Sequence, residues 1–138
     1  MYKPQSRVSE NLSRKVGTSR DAAELTKAFI IDKDREHFIG IYLNTKHKPI
    51  KVELISLGTL DASIIHPREV FKPAVLNSAS AVILAHNHPS GDVEPSKDDQ
   101  SLTIQLKKAG ELLGITLLDH IIISHTGDYL SFRDRGLI

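Results

Sequence analysis

Two histidines stand one residue apart where an apolar run of the sequence ends. In LAHNHPSGDVEPSKDD, which covers residues 84–99, His86 and His88 come directly after the short apolar stretch AVILA. A continuous apolar run of this length, bounded by loop residues, is typical of a buried strand. Because residues i and i+2 of a strand point to the same side, we expect both imidazoles on one face of the strand end and Asn87 on the other. Two imidazoles at this spacing can chelate one divalent ion and leave room for other ligands.

Any further ligand to such an ion must come from His, Asp or Glu, because the chain contains no cysteine. Asp92, Glu94, Asp98 and Asp99 are all near enough in the sequence. Ser96 has the character of a helix N-cap, which places Asp99 in the first turn, where the helix dipole also favours a carboxylate. Folding of the loop over the strand end would bring this turn against the histidines. We therefore predict Asp99 as the third ligand, in a Ser-x-x-Asp pattern that also describes a capping box.

The predicted donor set indicates catalysis rather than a structural role. Two histidines and one carboxylate, with a fourth position open for water, form a catalytic zinc arrangement. Zinc lowers the pKa of a bound water from 15.7 to about 7. Hydrolysis of an amide then needs a carboxylate that moves a proton and a donor that faces the developing oxyanion. Ser96 is a candidate for the donor. Glu36 and Glu53 are both candidates for the carboxylate, and their spacing does not separate them.

These residues need a sheet and helices to hold them, and the apolar periodicity predicts both. Helices are expected to begin at Thr18 or Ser19, at His66-Pro67 and at Ser96, and strands are expected over residues 36–45, 50–59, 81–85, 115–124 and 129–134. The first two strands should form a hairpin, Pro73 should limit or bend the second helix, and Gly114 should end the third. This alternation predicts an α/β or α+β class with a central mixed sheet flanked by helices.

Size and composition favour a single globular domain. The chain has 138 residues, of which 40% are hydrophobic and 25% are charged, as in ordinary soluble domains. Residues 1–17 lack periodicity, so we expect an irregular basic N-terminal arm followed by one domain over residues 18–138. Five basic residues and one acidic residue give residues 1–20 a charge of +4, and the remainder carries −3. These basic residues are Lys3, Arg7, Arg14, Lys15 and Arg20.

The sequence lacks the signals of export or membrane insertion. No apolar run approaches the roughly 20 residues that a membrane span needs, and the N-terminus lacks the apolar core of a signal peptide. We therefore expect a cytoplasmic protein with no membrane contact. The lack of cysteine excludes disulfides, a thiolate nucleophile and a cysteine-based zinc finger. Nothing in the sequence indicates an oligomeric state.

The spacing of the candidate ligands resembles a known signature. His86-x-His88, followed after seven residues by Ser96-x-x-Asp99, resembles the motif of the JAMM metalloproteases, which share the JAB/MPN domain. The stretches SLGTLDASIIHPREVF, AVILAHNHPSG and LGITLLDHIII are similar to the RadC-like branch of that family, and the similarity extends over about residues 18–133. The resemblance implies a cytidine-deaminase-like α/β fold and one zinc ion per chain, held by His86, His88 and Asp99, with Ser96 assisting the oxyanion.

The resemblance also implies an acid/base residue and an activity. The glutamate with this role in the family precedes a strand, and EHFIGIYL fits this with Glu36 and Gly40. Glu53 is the fallback. The implied protein is a zinc-dependent metallohydrolase, a metallopeptidase that cleaves peptide or isopeptide bonds in a peptide or protein substrate.

A DNA-associated module with a structural or vestigial metal is the alternative function. It would use the basic N-terminal residues to contact phosphates. RadC-like proteins, which carry a DNA repair label, commonly have an N-terminal helix-hairpin-helix region. About 17 residues before the first predicted helix are too few for such a region, so we expect only weak support for DNA binding. A zinc deaminase of nucleosides is disfavoured, because the chain has neither cysteine nor the combination of H-x-E with P-C-x-x-C.

His66 and His120 are two further histidines with interesting positions, before a proline and within LLDHIII. We expect each to be partly buried and satisfied by a hydrogen bond, as most buried polar groups are. The alternative for each is a role in orienting a ligand or in facing the substrate.

Overall fold

Three helices and five strands form the parts of the chain that the structure describes, residues 14–30, 34–58 and 65–138. In this computed structural model the helices are α1 (Ser19–Phe29), α2 (Pro67–Leu76) and α3 (Lys97–Leu113). The strands are β1 (His37–Leu43), β2 (Pro49–Leu57), β3 (Ala81–His88), β4 (Thr116–Ser124) and β5 (Tyr129–Ser131). They form one sheet in the order β2-β1-β3-β4-β5, in which β3 and β4 are parallel and the other neighbours antiparallel. The predicted class, a central mixed sheet flanked by helices, is confirmed.

Helices cover both faces of the central strands. Ile83 of β3 lies in the core beneath α1, whereas Val82 and Leu84 lie in the core beneath α2 and α3. A strand buried on both faces has a continuous apolar sequence, which explains why AVILA predicts a strand. By the same alternation the side chains of His86 and His88 continue the row of Val82 and Leu84, on the face that α3 covers.

All five strands differ from their predicted bounds, and the largest differences, of three residues each, are at the ends of β3 and β5. β3 continues to His88 instead of ending at residue 85, so both histidines belong to the strand itself. β5 ends at Ser131 instead of Asp134. The end of β5 is set by the buried Asp119, whose carboxylate accepts hydrogen bonds from the Ser131 hydroxyl (2.6 Å) and the Arg133 amide (3.0 Å). These two bonds turn the chain out of the sheet.

The predicted helix ends and the predicted hairpin are confirmed. Thr18 is the N-cap of α1, and its side chain takes part in a capping box. Ser96 is the N-cap of α3, which ends at Gly114 in the left-handed conformation (φ 72°). α2 contains Pro73 and continues through it to Leu76, so a bend or limit at the proline stays a prediction. β1 and β2 pair as an antiparallel hairpin.

Residues 1–13 lie outside the described residues, so the predicted arm and its boundary stay a prediction. Val16 is buried in the core beneath α1 and donates its amide to the His47 carbonyl at 2.8 Å. Among the helices that the structure describes, none combines the length and apolar character that crossing a membrane would require.

Candidate metal centre

The three predicted ligands meet at the carboxyl end of β3. The Nε2 atoms of His86 and His88 are 3.0 Å apart. The Asp99 carboxylate places one oxygen 3.5 Å from His86 Nε2 and the other 3.4 Å from His88 Nε2. One candidate ligand atom from each residue lies within 4.8 Å of the other two. His86 and Asp99 are buried and His88 is half-buried, so the cluster is reached from solvent on the His88 side.

Asp99 reaches the histidines because of the way α3 begins. The Ser96 hydroxyl accepts the Asp99 amide (3.0 Å), and the Asp99 carboxylate accepts the Ser96 amide (2.8 Å), which is the predicted capping box. These bonds fix the Asp99 side chain, and only 2% of the residue is exposed. The same carboxylate thus starts the helix and faces both imidazoles.

A hydrogen bond at the other ring nitrogen sets the direction of the His88 lone pair. His88 Nδ1 lies 2.7 Å from the main-chain oxygen of Asp92. A carbonyl oxygen only accepts, so Nδ1 must carry the proton. In the neutral ring, Nε2 therefore presents a lone pair to His86 and Asp99.

A buried chain of hydrogen bonds sets the His86 ring in the same way. The Thr103 hydroxyl donates to the main-chain oxygen of Asp99 at 2.7 Å, and its oxygen then accepts from His120 Nδ1 at 2.6 Å. His120 Nε2 is left with a lone pair, which accepts the proton of His86 Nδ1 at 2.7 Å. This assignment of protons leaves His86 Nε2 with a lone pair that faces His88 and Asp99.

His120 is held between two aromatic rings. It lies on β4 opposite Leu84 of β3 and is fully buried. Its ring stacks on Phe132 with centroids 4.4 Å apart and meets Phe38 edge to face at 5.8 Å. Burial holds the pKa of His120 well below its usual value. The neutral ring that the hydrogen-bond chain requires is therefore the stable form.

The cluster fits a positive ion. Two imidazole lone pairs and a carboxylate that face one another at 3.0–3.5 Å repel unless a positive charge lies among them. A proton or a divalent cation supplies that charge. Two nitrogens and one oxygen are donors that zinc and other first-row ions accept, and three protein ligands leave a further position open. His86, His88 and Asp99 could therefore hold a metal ion.

The charges of the cluster follow from burial and contact. Burial lowers the pKa of His86, and the hydrogen bond with Asp99 raises the pKa of His88. Burial by itself would raise the pKa of Asp99, but hydrogen bonds with both histidines outweigh it and hold this pKa well below its usual range. At neutral pH the carboxylate is therefore an anion. His88 is the ring that most readily takes a proton, and a metal ion must displace that proton.

The structure separates the two candidates for the acid/base residue. Glu36 precedes β1 and lines a cleft of about 590 Å³ together with Arg35, His88 and Ser90. Its negative charge acts toward a higher pKa for both His86 and His88. Glu53 is half-buried on β2 and lines a separate groove between β2 and α2. Glu36, and not Glu53, thus lies at the cleft beside His88, and its catalytic role stays a prediction.

The remaining loop residues have other surroundings. Ser96 is exposed at the start of α3, and its oxygen accepts the capping bond. Its proton is not used in that bond, and donation to an oxyanion stays a prediction. Asp92 brings its main-chain oxygen to the site. Glu94 forms an ion pair with Arg135, and Asp98 is exposed on α3.

The expectation that His66 is partly buried is wrong. It is exposed at the N-cap of α2, where loop and helix join at the surface, and its side chain makes no capping hydrogen bond. His120 is buried and satisfied, and it orients His86. The prediction missed the hydrogen bonds of Thr103 and Asn87. A buried amide at the end of an apolar strand needs hydrogen-bond partners. The position of Asn87 in the sequence therefore indicated that its side chain would bind another segment.

Three of the five basic residues of the DNA-binding alternative lie in the part of the chain that the structure describes. Lys3 and Arg7 lie outside the described residues, and Arg14, Lys15 and Arg20 are exposed near the start of α1. DNA binding stays a prediction.

A mixed sheet covered by helices on both faces, with a His-His-Asp cluster at one strand end, defines an α/β domain with a candidate metal site. The family model of the RadC-like JAB domain matches residues 16–137. The chain belongs to this family, which confirms the resemblance found in its sequence.

Curated relatives of the chain are longer than the chain itself. The UPF0758 protein of Pelodictyon phaeoclathratiforme is 52% identical over 130 residues, which are 94% of this chain and 58% of the relative. The corresponding protein of Chlorobaculum tepidum is 49% identical over 130 residues, with the same two shares. That of Methanosarcina mazei is 46% identical over 129 residues, which are 94% of this chain and 56% of the relative. This chain thus spans a little more than half the length of these relatives.

Proposed function

We propose that the protein is a zinc-dependent metallohydrolase that cleaves peptide or isopeptide bonds. The observation that carries the proposal is the convergence of two imidazole lone pairs and one carboxylate on one point. Both ring orientations are set by buried or main-chain partners, His120 for one ring and Asp92 for the other. The open cleft beside the cluster, with Glu36 in its wall, favours a catalytic over a structural ion.

In the proposed reaction each side chain has one task. His86, His88 and Asp99 hold the ion. When bound, zinc supplies a hydroxide nucleophile near neutral pH and polarises the carbonyl of the scissile bond. Glu36 accepts the proton that the attacking water loses and returns it to the leaving nitrogen as the carbon–nitrogen bond breaks. The Ser96 hydroxyl donates a hydrogen bond to the negative oxygen that develops on the carbonyl.

The cleft supports a peptide or protein as the substrate. Its volume of about 590 Å³ lies within the range of about 300–1,000 Å³ that is typical of ligand-binding clefts. Asp34 and Arg35 are exposed at this cleft, so a long chain can pass through the site without having to enter a closed cavity. Glu36 and His88 share the wall of the cleft, and a carbonyl held there lies near both.

Metal analysis of the purified protein tests the proposed centre first. Elemental mass spectrometry should find about one zinc per chain in the wild type and much less in His88→Ala, because three ligands are the minimum for a catalytic zinc. His47→Asn is the matched control, since His47 lies in the β1–β2 turn with a positive φ of 60° that asparagine tolerates. Equal zinc contents in the wild type and His88→Ala would reject this cluster as the metal centre.

A hydrolysis screen then tests the activity. Zinc-loaded wild type is incubated with a library of internally quenched peptides that includes isopeptide-linked members. Glu36→Gln should keep its zinc and lose about 10²–10⁴-fold in kcat on a cleaved member, as expected when a general base is removed. Retained turnover would move the acid/base role to Glu53 or another group. No cleavage of any member by the wild type would reject the proposed activity.

A further inference from the structure

We propose that Asn87 is a positioning residue that fixes Glu36 relative to the metal ligands. The inference rests on the function proposed above, in which Glu36 is the acid/base residue. Asn87 stands between His86 and His88 on β3, but its side chain turns away from them toward the segment that precedes β1. Only 4% of Asn87 is exposed, so its amide depends on protein partners.

The Asn87 amide brackets Glu36 with two hydrogen bonds. Its Nδ2 donates to the main-chain oxygen of Arg35 at 2.8 Å, and its Oδ1 accepts the main-chain amide of His37 at 2.7 Å. These two backbone groups stand immediately before and after Glu36. One planar amide therefore holds the backbone on both sides of the proposed acid/base residue.

This contact takes the place of the next main-chain pair of the sheet. The pairing of β1 with β3 ends at Phe38 and His86, and in the same register the next pair would be His37 with Asn87. The side chain of Asn87 makes that contact instead of its backbone. A side-chain amide reaches farther than a main-chain group, so the segment before β1 leaves the strand path and remains attached to β3.

The backbone of Glu36 is also held from the other neighbouring strand. Its carbonyl accepts the amide of Gly58, directly after β2, at 2.9 Å. Glu36 is thus anchored to the ends of both strands that flank β1. Three successive residues of β3 set both halves of the site, because His86 and His88 face the ion and Asn87 anchors the acid/base residue.

Loss of these two hydrogen bonds should lower the rate of the reaction and leave zinc binding unchanged. The two hydrogen bonds of Asn87 go to Arg35 and His37, and none goes to the metal cluster. A displacement of about 1 Å at a reacting group costs on the order of 10²-fold in rate. In Asn87→Ala we expect kcat to fall about 10- to 100-fold, with KM and zinc affinity within about threefold of the wild type.

A double-mutant cycle separates positioning from general damage. kcat on a quenched peptide from the library screen is measured for the wild type, Asn87→Ala, Glu36→Gln and the double variant. If Asn87 acts through Glu36, its loss has no further effect once Glu36 is replaced. An equal loss in both backgrounds would overturn the proposal. Asn44→Ala is the matched control: it removes an asparagine that accepts the amides of Lys46 and Lys48 at 2.9 and 3.0 Å, at the other end of β1, and should leave kcat unchanged.

Amide hydrogen exchange gives a readout that needs no activity. The His37 amide should exchange faster in zinc-loaded Asn87→Ala than in the wild type, because it loses its acceptor. An unchanged exchange rate of the His37 amide would overturn the proposal that Asn87 holds this backbone, whatever the activity of the variant. If the wild type cleaves no peptide, the proposed function fails, and the role of Asn87 in the reaction fails with it. Should the alanine variant not fold, Asn87→Ser leaves a polar group too short to reach both partners, and the same criteria apply.

Discussion

Replacement of His120 by phenylalanine tests whether the proton arrangement around His86 makes the cluster a metal site. Phenylalanine keeps a planar ring of similar volume, which can stack on Phe132 as the His120 ring does at 4.4 Å. The change removes the acceptor of His86 Nδ1 (2.7 Å) and the donor to Thr103 (2.6 Å). The Thr103 hydroxyl keeps its bond to the main-chain oxygen of Asp99, so the principal loss falls on His86.

The size of the effect follows from that single lost acceptor. A buried N–H left without a partner costs about 1–3 kcal/mol. His86 can avoid this cost by carrying its proton on Nε2, the nitrogen that faces the cluster, but the proton must then leave before a metal binds. Removing a group that orients a metal-binding histidine typically weakens affinity about 10- to 100-fold, which is about 1.4–2.8 kcal/mol. We expect His120→Phe to fold and to bind zinc more weakly by this factor.

Competition for zinc against a chromophoric chelator of known affinity measures this effect on the metal-free protein. Circular dichroism and urea unfolding confirm that the variant is folded. His120→Gln is the control, because its amide oxygen can accept from His86 Nδ1 and should restore part of the affinity. A zinc affinity of folded His120→Phe within about twofold of the wild type would refute the reasoning.

Two further predictions concern stability. Burial lowers the pKa of His86 and of His120 from 6.5 in the folded protein, so below pH 6.5 the unfolded chain takes up protons that the folded chain does not. As the pH falls below 6.5, the free energy of unfolding of the metal-free protein should fall by up to about 1.4 kcal/mol per pH unit for each of these two rings. The raised pKa of His88 acts in the opposite direction and can offset at most one of them. Urea unfolding that showed constant or rising stability from about pH 6.5 to 5 would contradict this. Gly40→Ala would place a Cβ 2.6 Å from the hydroxyl oxygen of the buried Tyr42 and should destabilise the protein by about 1–3 kcal/mol. In the control Gly17→Ala, the nearest atom to the added Cβ is 3.7 Å away, and the unfolding free energy should change by less than about 0.5 kcal/mol. Equal urea midpoints for the two variants would show that the Tyr42 ring moves aside at no cost in stability.

The three candidate ligands could be predicted from the sequence because the position of each depends on local rules. Strand alternation places His86 and His88 on one face, and the N-cap at Ser96 places Asp99 in the first turn of α3. These rules involve only neighbours along the chain. Glu36 is distinguished from Glu53 in the sequence only by the family resemblance, since nothing local separates the two.

The partners of the ligands could not be predicted, because they depend on which strands pair. His120 contacts His86 because β4 lies parallel to β3 with Leu84 opposite His120. The apolar pattern of a strand does not predict which other strand pairs with it. Asn87 binds the backbone of His37, 50 residues earlier in the chain. The short β5 has the same origin, since Asp119 on the neighbouring strand decides where it ends.

Through the capping box, Asp99 contributes to the stability of the fold independently of any role in metal binding. Loss of an N-cap costs a protein about 0.5–2 kcal/mol, and Asp99 and Ser96 share that interaction. In a relative without the proposed activity, selection for folding alone would still retain this serine and aspartate. His86 and His88 have no such role in the capping box, so they would be free to be replaced by other residues. Among relatives of this chain, the histidine pair is therefore better evidence of a metal site than the Ser-x-x-Asp that accompanies it.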